Sequence, residues 1–98
     1  MNTRQRQSVL FQALGHPDRL HILEILSKGP SCVCDLVEQT GRRQPNISQH
    51  LATLRNVELV IAERHGLNIS YRLNGAKLAE LEQNVSTLLK SQPLVRNR

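Results

Sequence analysis

Apolar residues along this 98-residue chain recur at helical spacing in five stretches and cluster in two short strand-like runs. Val9, Leu10, Ala13 and Leu14 mark a first helix over residues 4–14, stopped by Gly15. His16-Pro17-Asp18 suits a helix start with proline in the first turn. Leu20, Ile22, Leu23, Ile25 and Leu26 then make the second helix apolar on a wide face, as expected at the centre of a core. Lys28-Gly29-Pro30-Ser31 closes it, with Ser31 as the expected N-cap of a third helix over residues 32–40. Gly41 turns the chain into a fourth helix, around residues 42–55. At ~100° per residue its Ile47, Leu51 and Leu54 share one side, while Asn46, Gln49, Thr53 and Asn56 point the other way. Residues 60–64 and 69–73 read as strands flanking His65-Gly66-Leu67-Asn68. From Gly75, the residues Leu78, Leu81, Val85, Leu88 and Leu89 form the stripe of a last amphipathic helix. Residues 92–98 lack periodicity and are expected to be a flexible basic tail on a single domain spanning 1–91. The pattern is mainly α with a small β-hairpin wing. Two short helices about a glycine turn, followed by a hairpin, make a winged helix-turn-helix.

The polar side of the fourth helix carries side chains that hydrogen-bond to base edges, Asn46, Gln49, Thr53 and Asn56, and Gln44 and Ser48 on the same helix are further candidate DNA contacts. Arg42 and Arg43 stand just upstream, where they can neutralise phosphates, and Arg64 and His65 near the hairpin tip can reach a phosphate or the minor groove. A solvated helix face and a wet hairpin tip are the competing readings. Net charge tips the balance, since +5 at neutral pH and a pI near 10.0 favour a polyanion. Phe11 and Tyr71 are the only aromatic residues, too few for the stacking platforms of single-strand binders, which leaves duplex DNA as the expected partner. A domain this small gains from a second copy, and the first and last helices are well placed to pair across a two-fold axis, so a homodimer is expected. No apolar run approaches the ~20 residues of a membrane span, and a cytoplasmic location is expected. Nucleophile elbows, phosphate-binding glycine loops and paired acids are absent from the sequence, which argues against an enzyme.

Three motifs in order and spacing resemble one family. Residues 13–23 (ALGHPDRLHIL), 32–36 (CVCDL) and 46–55 (NISQHLATLR) are similar to the bacterial arsenic-repressor (ArsR/SmtB) regulators, in register over about residues 8–74. The resemblance implies a homodimeric repressor on an inverted-repeat operator, released by an inducer that is often a metal ion or metalloid. It also implies that Ser48, Gln49 and their neighbours enter the major groove, and that Cys32 and Cys34 belong to a thiolate site.

Chemistry supports a role for that pair, because soft thiolates select arsenite, antimonite and similar thiophilic species. In a regular helix, positions i and i+2 diverge by ~200°, so the two cysteines are expected neither to bridge each other easily nor to grip one ion without distorting the helix start. A helix N-terminus also favours thiolate, which makes a redox-sensing repressor the main alternative. Two small packing residues in a metal-independent regulator, or in a protein-interaction module, are the remaining readings. The chain departs from the family it resembles in that Val37 stands where arsenic-responsive members have a further cysteine, residues 1–31 contain no cysteine, and residues 75–92 contain neither His nor Asp. Arsenite or antimonite is the favoured inducer, with hydroxide or an external thiol as third ligand, and no obligatory cofactor is expected. Glu58 stands where a left-handed cap would cost it roughly 1 kcal/mol relative to Gly, so the fourth helix is expected to end differently from that of relatives. The four histidines stay outside the metal assignment. His16 and His21 diverge by ~140° on a helix, and His50 borders the apolar seam as a packing residue.

Overall fold

All five described helices begin where a side chain or a proline deals with free N–H groups of the first turn. The computed structural model describes residues 1–90, in the order α1 (Thr3–Leu14), α2 (Pro17–Leu26), α3 (Val33–Thr40), α4 (Gln44–Asn56), β1 (Val60–His65), β2 (Asn68–Leu73) and α5 (Gly75–Lys90). The tail expected over residues 92–98 lies outside the described residues. Asn2 and Gln5 cap α1 reciprocally, each side chain receiving the other's backbone N–H at 2.8 and 2.9 Å. His16 caps α2 by receiving the Asp18 N–H at its Nδ1, with Pro17 in the first turn. Cys32, not Ser31, caps α3, its Sγ receiving the Asp35 N–H at 3.3 Å. Ser31 is committed elsewhere: its backbone pairs with Tyr71 of β2 through two hydrogen bonds of 3.0 and 2.8 Å, forming a one-residue third strand beside the hairpin.

The apolar periods meet in one core. Ile22, Leu36, Ile47, Leu51, Leu54 and Leu59 are fully buried, with Leu10, Ile25, Leu26 and Val60 around them. Each such side chain contributes about 1.5–3 kcal/mol by leaving water. Ile47, Leu51 and Leu54 are the predicted seam of α4, and α2 does run through the centre. Leu20 departs from the expected wide face: it is 53% exposed, because the buried arc of α2 is confined to Ile22, Ile25 and Leu26. The strands are each one residue longer at the turn than expected and pair antiparallel from Val60 opposite Leu73 to His65 opposite Asn68. Gly66, at φ 67°, opens the two-residue turn, as a type II′ hairpin requires. Among the described residues no helix is long and apolar enough to cross a membrane.

Helix α4 ends in a left-handed residue after all, although that residue is Glu58, at φ 64°. Glu58 N–H donates to Arg55 O at 2.9 Å and Leu59 N–H to Leu54 O at 3.0 Å, the two closing bonds of a Schellman motif. Leu59 following it is fully buried, and Asn74 donates its side-chain N–H to the Glu58 carbonyl at 2.9 Å. Together these interactions outweigh the backbone penalty, so the expected different ending does not occur. Glu58→Gly is therefore expected to raise stability by about 0.5–1 kcal/mol, read as a higher urea midpoint. An unchanged or lower midpoint would show that the left-handed site carries no penalty.

Candidate nucleic-acid interface and thiol site

Helix α4 starts without a side-chain cap: Arg43 at the N-cap makes none, and Pro45 removes one N–H from the first turn. The N–H groups of Gln44 and Asn46, which precede the first intrahelical bond from Ile47 N–H to Arg43 O, are left for an outside acceptor. A helix end of this kind, positive from its dipole and flanked by exposed Arg42 and Arg43, fits a phosphate. Gln44, Asn46, Ser48 and Gln49 are all exposed on the same helix: at ~100° per residue Gln49 points away from the buried seam, Asn46 and Ser48 lie on its two flanks, and Gln44 stands in the first turn. Thr53 differs. It is half-buried, and its hydroxyl donates to Gln49 O at 3.2 Å, so its proton is already engaged.

A polar knot behind the helix sets its orientation. Arg19 donates Nε to Ala13 O at 2.6 Å and an Nη2 N–H to Gln12 O at 3.2 Å, capping the C-terminus of α1, while its Nη1 lies 3.4 Å from His50 Nδ1 on α4. Asp18 accepts a 3.0 Å bond from Arg42 Nε, which ties the turn before α4 to the start of α2. That hydrogen bond holds the Asp18 carboxyl below its ordinary value, helped by the charges of Arg42, His16 and His50, although burial pulls the other way. Burial, followed by the charges of His16 and Arg19, holds His50 below its ordinary value against the opposing pull of Asp18. Local spacing kept the histidines apart in the sequence, yet His16 and His50 stack with ring centroids 4.4 Å apart. Their 33 intervening residues are folded back by α2 and α3, which same-helix angles do not register. Arg19 and Asp18 carry no periodic signal, and proline two residues before Arg19 was the only cue that it sits in a first turn.

The predicted wing residues Arg64 and His65 are exposed, opposite Ile69 and Asn68. As strand neighbours they point to opposite faces of the ribbon, so they do not form one patch. Arg72 reaches across to Glu63 at 2.9 Å and is neutralised.

Cys32 and Cys34 are joined by a disulfide, contrary to the expectation that they do not bridge each other easily. The helical angle does not apply, because Cys32 is outside the helix in extended backbone at φ −85° and ψ 168°. Their Cα atoms are 5.3 Å apart, within bridging range. The sulfurs therefore share one side of the α3 start with no distortion of it. An Asp35 carboxylate oxygen lies within 4.8 Å of both sulfurs, a third donor that cysteine and histidine spacing does not reveal.

The model of the family described as "Bacterial regulatory protein, arsR family" matches residues 16–62. An arsenical resistance operon repressor of Staphylococcus xylosus is 37% identical over 81 residues, covering 83% of this chain and 78% of that protein. The chain belongs to the ArsR family. As an ArsR-family protein it is a DNA-binding transcriptional regulator and not an enzyme. Another relative, the HTH-type transcriptional regulator NmtR of Mycobacterium tuberculosis, is 44% identical over 71 residues, covering 72% of this chain and 59% of that protein. The crystal structure of the transcriptional repressor BigR from Xylella fastidiosa shares the fold with a TM-score of 0.67, at 37% identity over 83% of each chain.

In this ArsR protein the knot makes stability depend on pH. The lowered His50 value means that unfolding takes up a proton just below the ordinary 6.5, so stability is lost as pH falls through that window; Asp18 adds a further loss below its ordinary 3.8. The urea midpoint is expected to drop between about pH 7.5 and 5.5, and His50→Gln to shrink that drop. An unchanged pH slope in the variant would exonerate His50.

Proposed function

We propose that this ArsR-family regulator is a repressor that binds inverted-repeat operator DNA as a homodimer. In this reading it leaves the DNA when arsenite or antimonite is captured by Cys32 and Cys34. The observation that carries the reading is the convergence of both sulfurs at the first turn of α3, beside the Asp35 carboxylate. Two reduced thiolates are a donor set suited to a soft metalloid, and bound there it would supply strong sulfur bonds. Cys32 Sγ caps α3, so capture alters the charge and position of the acceptor that holds the Asp35 N–H and thereby acts on the helix start. Both DNA-reading elements adjoin that start. Ser31, the preceding residue, is bonded to Tyr71 of the wing, and α3 leads through Gly41 into α4. The name of the staphylococcal relative, an arsenical resistance operon repressor, supports the same inducer class.

Arg42, Arg43 and the open start of α4 hold phosphates, Gln44, Asn46, Ser48 and Gln49 face base edges, and Arg64 or His65 touches the backbone or minor groove. Thr53 contributes as an acceptor. Exposed apolar side chains favour a second copy: Val9 of α1 is 41% exposed, and Leu89 of α5 is 62% exposed. The radius of gyration of 15.6 Å, against about 12 Å for a compact chain of this length, fits helices that project to meet a partner.

The disulfide favours a second reading, in which the same cysteines sense oxidants: both thiols lose a proton and an electron to a peroxide, which is reduced to water or alcohol and water. Fluorescence anisotropy on the chain's own promoter DNA separates the two. Release by arsenite under full reduction, abolished in Cys32→Ser/Cys34→Ser, is the expected result; release only by peroxide, reversed by reductant, would establish the redox reading. On the same DNA, Gln49→Ala is expected to lower discrimination against random duplex by about 1–3 kcal/mol, whereas Arg43→Ala weakens all sequences alike and flattens the salt dependence. Equal losses on specific and random DNA from Gln49→Ala would remove it from base readout.

A further inference from the structure

A second group of ligating atoms converges away from the thiols. One ring nitrogen each of His16 and His50 and one carboxylate oxygen of Asp18 lie within 4.8 Å of one another, all on partly buried residues. None of these side chains is strongly bonded to another. Asp18 Oδ2 is 3.8 Å from His50 Nε2, beyond hydrogen-bonding distance, and Arg42 Nε bonds the other oxygen, Oδ1. His16 Nδ1 receives the Asp18 N–H at 3.1 Å, and His50 Nδ1 faces Arg19 Nη1 at 3.4 Å, both long contacts. Two packed helices have therefore gathered two imidazoles and a carboxylate without spending their lone pairs on each other.

We propose that His16, Asp18 and His50 bind a divalent ion of the cobalt, nickel and zinc group between the start of α2 and the middle of α4. Imidazole with carboxylate is the donor set these borderline ions take, whereas thiophilic species go to the cysteines. Metal–ligand bonds of about 2.0–2.1 Å place adjacent donors roughly 3.0–3.4 Å apart, so side-chain rotations closing the present gaps by about 1 Å complete the site, with water at the open positions. Ligation at His50 Nε2 moves the ring proton to Nδ1 and loosens the longest of Arg19's three contacts, while its two bonds to α1 carbonyls stay. Burial lowers the His50 pKa, which favours the neutral ring that ligates. The bound ion pins the recognition helix to α2 from its inner side, and the site functions whether or not the thiols sense metalloid.

Co2+ titration of the full chain carrying Cys32→Ser/Cys34→Ser, followed by visible d–d absorption and Zn2+ competition, tests this. One Co2+ per chain is expected to bind saturably and be displaced by Zn2+. His16→Asn keeps an N-cap oxygen and is expected to weaken Co2+ at least about tenfold, as is His50→Gln. No saturable binding up to submillimolar Co2+, or unweakened binding by His16→Asn, would overturn the site. Folding of His50→Gln is followed by circular dichroism; if it unfolds, His16→Asn decides alone.

Discussion

Arg19 holds the reading head to the rest of the chain. Its guanidinium ends α1 by bonding the Ala13 and Gln12 carbonyls and reaches His50 in the middle of α4 from a position on α2. The two charge-assisted bonds to the carbonyls contribute roughly 1.5–3 kcal/mol each, comparable to a buried leucine, and the longer contact to His50 adds direction more than energy. The apolar seam of α4 resists its removal from the core, while a seam of leucine and isoleucine alone tolerates rotation about the helix axis. Arg19, with Asp18 gripping Arg42 beside it, opposes that rotation. The exposed side chains of α4 therefore have a defined aim, which the proposed base readout requires.

A second constraint lies at the other end of the helix-turn-helix. The segment before α3 is not a free loop, because Ser31 is built into the wing as a one-residue strand against Tyr71. Cys32 follows as the cap of α3, so two consecutive residues bond the wing and the helix that precedes α4. A change in the chemistry of the sulfur acts on a junction rather than on a surface. The proposed release by a sulfur ligand rests on this chain of directional hydrogen bonds beside a core in which Leu36 is fully buried.

Most of the architecture is determined by the sequence itself. Apolar residues at helical spacing, Gly15 and Gly41 as stops, Pro17 and Pro45 in first turns and a glycine in a two-residue hairpin turn each act locally, within a few residues, and such interactions leave a readable period. The seam Ile47, Leu51 and Leu54, the wing and the exposed polar face of α4 follow from them. Tertiary structure decided what depends on partners distant along the chain. The Ser31–Tyr71 pairing moved the cap of α3 to Cys32 and thereby placed two sulfurs side by side that a helix would have separated. Burial of Leu59 and the bond from Asn74 allowed Glu58 a left-handed conformation that local propensity opposes. The packing of α2 on α4 brought His16, Asp18 and His50 together across 34 residues, where no periodicity records the contact. Local backbone preferences are written in neighbouring residues, whereas hydrogen-bond partners and ligand sets are written in the positions that folding makes adjacent.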